Sequence, residues 1–291
     1  MRFYCVIRSL DDKRFPKKCF GYLKSACEAR GVEFIPIESA TADVTALPKL
    51  GKGDMLYRIT TDIKSSNIFA YLLNQDVSTF YRDNANGSVS YTTSGWSNTI
   101  AQQINGLPII PTILDLPGDH ELLKKQVEHL GGYPIIIKAQ GGSHGVGVMR
   151  FDSQESLFST SDYLRTQNDS TYALRKYIDF SAQARLIVVG DKVVESLNYT
   201  PPAGDFRSNI GHNPIAEPRK FPPKIEAAAV KATRVLGLEF AGVDILIDKN
   251  GKDFYIAEAN FPCNFSRPQT ITGTDIAGAM VDHLIYKSDN N

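Results

Sequence analysis

The segment 243-VDILIDKNGKDFYIAEAN-260 places the strongest constraint on how this chain can fold. Two apolar runs flank DKNGK, and the Asn-Gly pair favours a tight turn, so the segment reads as an antiparallel hairpin. Asp244 sits in the first run and Glu258 in the second. A carboxylate in an apolar strand costs free energy unless it is paired, hydrogen-bonded or bound to a cation. The turn decides whether the two meet. A two-residue Asn250-Gly251 loop puts them on opposite faces. A three-residue loop of Lys249, Asn250 and Gly251, with Gly251 left-handed in a bulge, pairs Asp248 with Lys252. That register brings Asp244, Glu258 and Asn260 to one face, because side chains alternate along strands. Three hard oxygen donors suit Mg²⁺, which takes few protein ligands and keeps waters and phosphates. Salt bridges or placement at a strand edge account for the two carboxylates equally well.

A second segment, 134-PIIIKAQGGSHGVGVMRF-151, runs an apolar strand into Lys138, then a glycine-rich loop, then strand again. It is not a Walker A motif, whose lysine follows the glycines, and no helix follows it as in a dinucleotide fingerprint. A glycine-rich hairpin can bring backbone N–H groups close to phosphates, and Lys138 adds a point charge. A mobile surface hairpin with an incidental lysine has the same sequence. Further along, 204-GDFRSN-209 places Asp205, Arg207 and Asn209 in one loop, where a guanidinium can bind carboxylate or phosphate bidentately.

The 291 residues allow one large domain or two of ordinary size. Net charge is zero, with 32 basic and 32 acidic residues, which argues against a nucleic-acid partner. No apolar run is long enough to span a bilayer, and the N-terminus lacks the apolar core of a signal peptide, so no membrane association is expected. Cys5, Cys19, Cys27 and Cys263 show no metal-type spacing and read as free thiols of a cytoplasmic protein.

Strand, helix and strand over 2–7, 16–30 and 32–37 predict a parallel sheet. Further strands are expected at 54–59 and 77–81, with a helix over 65–75 between them, and a polar loop at 83–98 closes this unit. The remainder reads as antiparallel-rich α+β, with helices near 97–105, 118–130, 223–236 and 274–286. The division expected is 1–95, an α/β domain; 96–178, a lobe with the glycine loop; and 179–291, a lobe with the carboxylates.

Taken together and in order, these segments resemble ATP-grasp carboxylate–amine ligases, most closely the RimK-like glutamate and peptide ligases. The resemblance is strongest over about 130–280. It rests on 134-PIIIKAQGGSHGVGV-148, 185-RLIVVGDKVV-194, 204-GDFRSN-209, the G-L and G-V-D parts of 232-ATRVLGLEFAGVD-244, 258-EAN-260 and 272-TGTDIAG-278. It implies an ATP-grasp fold: a parallel-sheet domain preceding two α+β lobes that clamp ATP.

Residue by residue, the resemblance implies that Lys138 contacts the α- and β-phosphates. The lid comprises Gly141, Gly142, Ser143, Gly145 and Gly147. Lys176, Tyr177 and Ile178 border adenine through their backbone, and Gln183 stands where a ribose-contacting acid is usual. Arg207, Ser208 and Asn209 face the γ-phosphate, with Arg207 and Lys138 catalytic. Asp244, Glu258 and Asn260 hold Mg²⁺, with Mn²⁺ as an alternative. Three positions depart from the family pattern: the usual second nucleotide lysine is missing near Gly95-Trp96, Lys176 replaces a glutamate, and Gln183 replaces the ribose acid. Lys176 or Arg175 is a candidate for the missing cation.

The implied reaction joins a carboxylate to an amine of an amino acid or peptide through an acyl phosphate, releasing ADP and phosphate. Its rivals are a nucleotide-binding module without ligase activity and a kinase. Arg267, Arg58 and Arg8 are candidates for a substrate carboxylate. Assembly into a homo-oligomer is left open.

Overall fold

The computed structural model describes residues 1–13, 15–84, 95–141, 145–167, 171–208 and 215–290. β1 (Arg2–Ile7) is apolar and buried from Phe3 onward, because elements cover it on both faces. α1 (Lys17–Glu28) buries Cys19, Leu23, Ala26 and Cys27, and ends before Gly31, whose φ of 65° suits glycine. β2 (Glu33–Glu38) and β3 (Asp54–Arg58) pair parallel to either side of β1. The expected parallel sheet therefore has the order β2-β1-β3. α2 (Ile63–Leu72) follows, capped where the Asp62 side chain accepts from the Ser65 N–H.

Residues 77–81, expected as a strand, form only isolated bridges, Met55 with Ser78 and Tyr81 with Leu238. Their polar backbone is shared out among several elements. Ser78 bonds to Asp54 and Leu56, and the Glu239 N–H donates to the Phe80 carbonyl at 2.8 Å. The Lys287 ammonium donates to the carbonyls of Thr79 (2.9 Å) and Tyr81 (2.8 Å) and to the Glu239 carboxylate. Burial alone would raise the Glu239 pKa, but hydrogen bonds from His283 and Lys287 hold it below the usual range. Lys287→Met removes a partly buried cation with three acceptors, and is expected to cost about 2–4 kcal/mol in urea unfolding. An unchanged midpoint would show that this tie contributes nothing.

α3 (Gly95–Ile104) leads to a four-stranded antiparallel sheet, ordered β4-β7-β5-β6. Its strands are β4 (Thr112–Ile113), β5 (Ile135–Ala139), β6 (Val148–Phe151) and β7 (Tyr172–Lys176). α4 (His120–His129) and α5 (Gln154–Arg165) supply Leu123, Val127, Leu157 and Leu164 to a separate small core with Ile135, Ile137 and Leu174. α5 is absent from the sequence reading, although Ser153 caps it and Leu157, Ser161 and Leu164 repeat at helical spacing.

The third sheet is antiparallel, ordered β10-β9-β8-β11-β12. It comprises β8 (Phe180–Val189), β9 (Lys192–Thr200), β10 (Ile215–Pro218), β11 (Phe240–Asp248) and β12 (Phe254–Asn260). α6 (Pro223–Arg234) packs on it, and α7 (Ser266–Thr272) and α8 (Ile276–Asn290) complete the chain. Its core is continuous with that of the first sheet, and α8 lies along α1. All four cysteines are free and buried. Among the described residues, no helix is long and apolar enough to cross a membrane.

The β11–β12 hairpin corrects the expected turn. The Asp248 N–H donates to the Asp253 carbonyl at 3.0 Å, so Asp248 faces Asp253 rather than Lys252. Gly251 is left-handed, at φ 69°. This register pairs Ile247 with Phe254 and Ile245 with Ile256, and continued unbroken it would set Asp244 opposite Ala257. An irregularity after Asp244 makes Ala257 the extra residue, and pairing resumes as Asp244 with Glu258 and Gly242 with Asn260. The bulge, not the turn, brings the carboxylates face to face.

Candidate active site

β8, β11 and β12 lie side by side, and their register sets Arg185, Asp244 and Glu258 in one row across the sheet. Asp244 is 4% exposed. The Arg185 Nε lies 3.1 Å from its Oδ1, but neither atom is in hydrogen-bond geometry. Asn260 Nδ2 approaches Oδ2 at 3.4 Å. Burial pushes the Asp244 carboxyl up to about 6, against the pull of Arg185, with Glu258 adding to the rise. The Asp244 charge in turn holds Arg185 protonated against its own burial.

The opposite wall comes from the four-stranded sheet. Lys138, near the end of β5, reaches across to Glu258, with Nζ 3.8 Å from Oε1. Burial lowers its pKa, while Glu258 opposes that shift. Between the two sheets lies a cavity of about 770 Å³, open mouth included. Lys138, Arg175, Gln183, Arg207, Asp244 and Glu258 line it, with Lys176, Tyr177 and Ile178 on its border. Residues from 138 to 258 thus converge on one cavity.

The glycine hairpin closes on Arg207. Gly145 is buried, and its carbonyl accepts from Arg207 Nη1 at 3.2 Å. Asp205 fixes that guanidinium in place, accepting from its Nε at 3.0 Å and its Nη2 at 2.8 Å. Gly147 has φ 82°, and a Cβ there would stand 2.9 Å from the Ala139 Cβ, so the return strand requires glycine. Ser208 is buried and donates to the Gln183 side chain. Gly141 is exposed at the start of the loop. Gly142, Ser143 and Asn209 lie outside the described residues.

Other candidates fall elsewhere. Lys176 leaves β7 from the face opposite Arg175; its side chain is exposed and ends near Gly131. Arg58, a candidate for a substrate carboxylate, is 1% exposed, donating to the Thr60 carbonyl with its guanidinium against the Phe261 ring. Arg8 lines a separate crevice and pairs with Asp12 at 3.2 Å. Arg267, in the first turn of α7, is half-buried. Burial raises the Tyr199 pKa, while Arg185 and then Arg267 pull it down. In the sequence, Arg185 stands out only as the first residue of 185-RLIVVGDKVV-194; its place opposite Asp244 follows from strand order, which the residues alone do not reveal.

Among the described residues, no three His, Cys, Asp or Glu side chains form a metal cluster. Asp244, Glu258 and Asn260 instead offer two carboxylates and an amide, with Asp244 Oδ1 buried and without a hydrogen bond. That donor set fits Mg²⁺, which binds through one or two carboxylates and leaves positions for phosphate oxygens.

The sequence model of the RimK-like ATP-grasp domain matches residues 99–284, well over half of the chain. The chain belongs to that family. A probable alpha-L-glutamate ligase of Parasynechococcus marenigrum (strain WH8102) is 32% identical over 166 residues, 56% of this chain and 35% of the relative. A ribosomal protein bS6–L-glutamate ligase of Salmonella paratyphi B (strain ATCC BAA-1250 / SPB7) is 33% identical over 187 residues, 64% of this chain and 60% of the relative. The alignments thus span less than two thirds of either relative's length. The ATP-grasp ligase PsnB, solved with a phosphomimetic variant of its minimal precursor, Mg and ADP, superposes with a TM-score of 0.74 at 15% identity. That match covers 98% of both chains, so the ATP-grasp fold extends through the first sheet, which the RimK-like sequence model leaves unmatched.

Proposed function

We propose that this RimK-like chain is an ATP-dependent ligase that joins a carboxylate to an amine of an amino acid or peptide. The observation that carries this reading is one cavity lined by Lys138 and Arg207 on one hand and by Asp244 and Glu258 on the other, with Arg207 bonded to the carbonyl of Gly145. The names of the two glutamate ligases, and the Mg and ADP bound by PsnB, support the same chemistry.

A carboxylate is a poor electrophile. Its oxygen attacks the γ-phosphorus of ATP, the bond to the bridging oxygen breaks, and ADP leaves. The amine then attacks the acyl carbon, phosphate departs, and the nitrogen loses a proton. Mg²⁺ held by Asp244, Glu258 and Asn260 would offset charge on the transferring phosphoryl group. Lys138 would hold the inner phosphates, and the backbone of Lys176, Tyr177 and Ile178 would border the base, with Gln183 toward the ribose. Arg207, with Ser208 and Asn209, would hold the γ-phosphate and then the acyl phosphate. Its guanidinium is already oriented by Asp205, so little reorganisation is needed. Gly141, Gly142, Ser143, Gly145 and Gly147 would form the lid that excludes water from the acyl phosphate.

The substrate would enter at the crevice beyond Asn260. Arg8, Thr60, Thr61 and Asp62 line it at the carboxyl ends of β1 and β3, and Pro262, Cys263 and Asn264 line it just after β12. Open α/β sheets bind ligands at such strand ends. Arg8 and Arg267 are the substrate-facing arginines of this reading, while buried Arg58 bonds to the carbonyl of Thr60, one of the lining residues. The chain divides as 1–95, 96–178 and 179–291, and its free, buried cysteines fit a cytoplasmic setting.

A phosphate-release screen of the purified protein, with ATP, Mg²⁺ and pools of amino acids and short peptides, tests the reading. Positive wells should contain an amide product by mass. ATP binding with no substrate-dependent ADP release would point to a nucleotide-binding module, and a stable phosphorylated product to a kinase.

A further inference from the structure

Arg175 is 6% exposed, on the central strand β7. It pairs with Ile136, while Lys138 pairs with Ala173, so Arg175 and Lys138 are diagonal neighbours on one face of the sheet. Both line the cavity. The partners of Arg175 are neutral: Nε donates to Thr112 Oγ1 at 3.0 Å and Nη1 to the Ala257 carbonyl at 3.5 Å. Nearby carboxylates are engaged elsewhere, Glu258 with Lys138, Asp244 with Arg185 and Asp205 with Arg207. Burial pulls the Arg175 pKa down, with Glu258 opposing that shift from a distance. A buried guanidinium is strongly disfavoured without an anion. Lys176, by contrast, points into solvent.

We propose that Arg175 binds the inner phosphates of a nucleotide jointly with Lys138, and so sets nucleotide affinity at this site. The inference rests on the nucleotide reading above. Arg175 immediately precedes the Lys176–Ile178 border of the cavity, where the base would lie, while Arg207, bonded to the Gly145 carbonyl, is placed for the outer phosphate. The anion shared by Lys138 and Arg175 is therefore the α- and β-phosphate part of the ligand.

The test is calorimetric titration of the full chain with adenosine, AMP, ADP and ATP, together with thermal melting with and without ADP. In Arg175→Gln, ADP and ATP should bind roughly 10- to 100-fold more weakly, and adenosine as in the wild type. Arg175→Lys should recover part of the loss, since it keeps the charge and loses the fork. Without nucleotide, Arg175→Gln should melt no lower than the wild type, because a buried charge whose direct partners are neutral is removed; its ADP-induced rise should shrink. Wild-type ADP affinity in Arg175→Gln, or an equal loss for adenosine, would overturn the proposal. So would a lower melting temperature with ADP affinity intact, which marks a structural residue. A wild-type chain that binds none of the four overturns the nucleotide reading itself, and the proposal with it.

Discussion

Asp244→Asn and Glu258→Gln should each reduce substrate-dependent ADP release by on the order of a thousandfold. The two carboxylates face one another across the bulged β11–β12 pair, and Asp244 Oδ1 is buried without a hydrogen bond. Under the ligase reading these atoms hold the cation that offsets charge on the transferring phosphoryl group. Loss of such a cation removes several kcal/mol of transition-state stabilisation, and each 1.36 kcal/mol is tenfold in rate. Both substitutions keep the side chain's shape and an oxygen, so the fold should survive, which circular dichroism can check. Metal-free ADP affinity should change little, because Lys138 and Arg207 remain. Near-normal turnover in either variant would remove the metal assignment, whatever the fate of the ligase reading.

The row of carboxylates was legible in the sequence because chemistry flagged it: charge inside apolar strands requires a partner. The route to it was not. Alternation counted back from the turn assumes an unbroken ladder, and β12 breaks its own period, with buried positions at Phe254, Ile256 and then Ala259. A spacing of three where two is expected is the trace of the bulge at Ala257, visible only once burial is known. Residues 77–81 have strand composition but spend their backbone polar groups on three places distant in sequence, Asp54–Leu56, Glu239 and Lys287. Local propensity carries no information about such partners. The choice between Arg175 and Lys176 was undecidable for a similar reason. Adjacent strand residues differ only in face, and the face follows from which neighbour, the small core or the cavity, covers Leu174.

Arg185→Met should be the most destabilising substitution near the cavity, costing about 3–5 kcal/mol in metal-free urea unfolding, because it leaves Asp244 buried without its cation. Arg185 also donates to the Gly242 carbonyl at 3.3 Å, and a Cβ at Gly242 would come within 2.6 Å of its Nη1, so the guanidinium fills this space closely. Packing loss and charge loss are separable by a double-mutant cycle with Asp244→Asn. If the charge dominates, the double variant should be more stable than the sum of the single losses by about 2 kcal/mol or more. Additive losses would mean that Arg185 acts through packing alone. Mg²⁺ gives an independent check. It should stabilise Arg185→Met more than the wild type, since a cation beside Asp244 and Glu258 supplies the positive charge that the arginine removed. Equal Mg²⁺ stabilisation in the two proteins would separate the arginine from the cation site and leave the row across β8, β11 and β12 a purely structural ion pair.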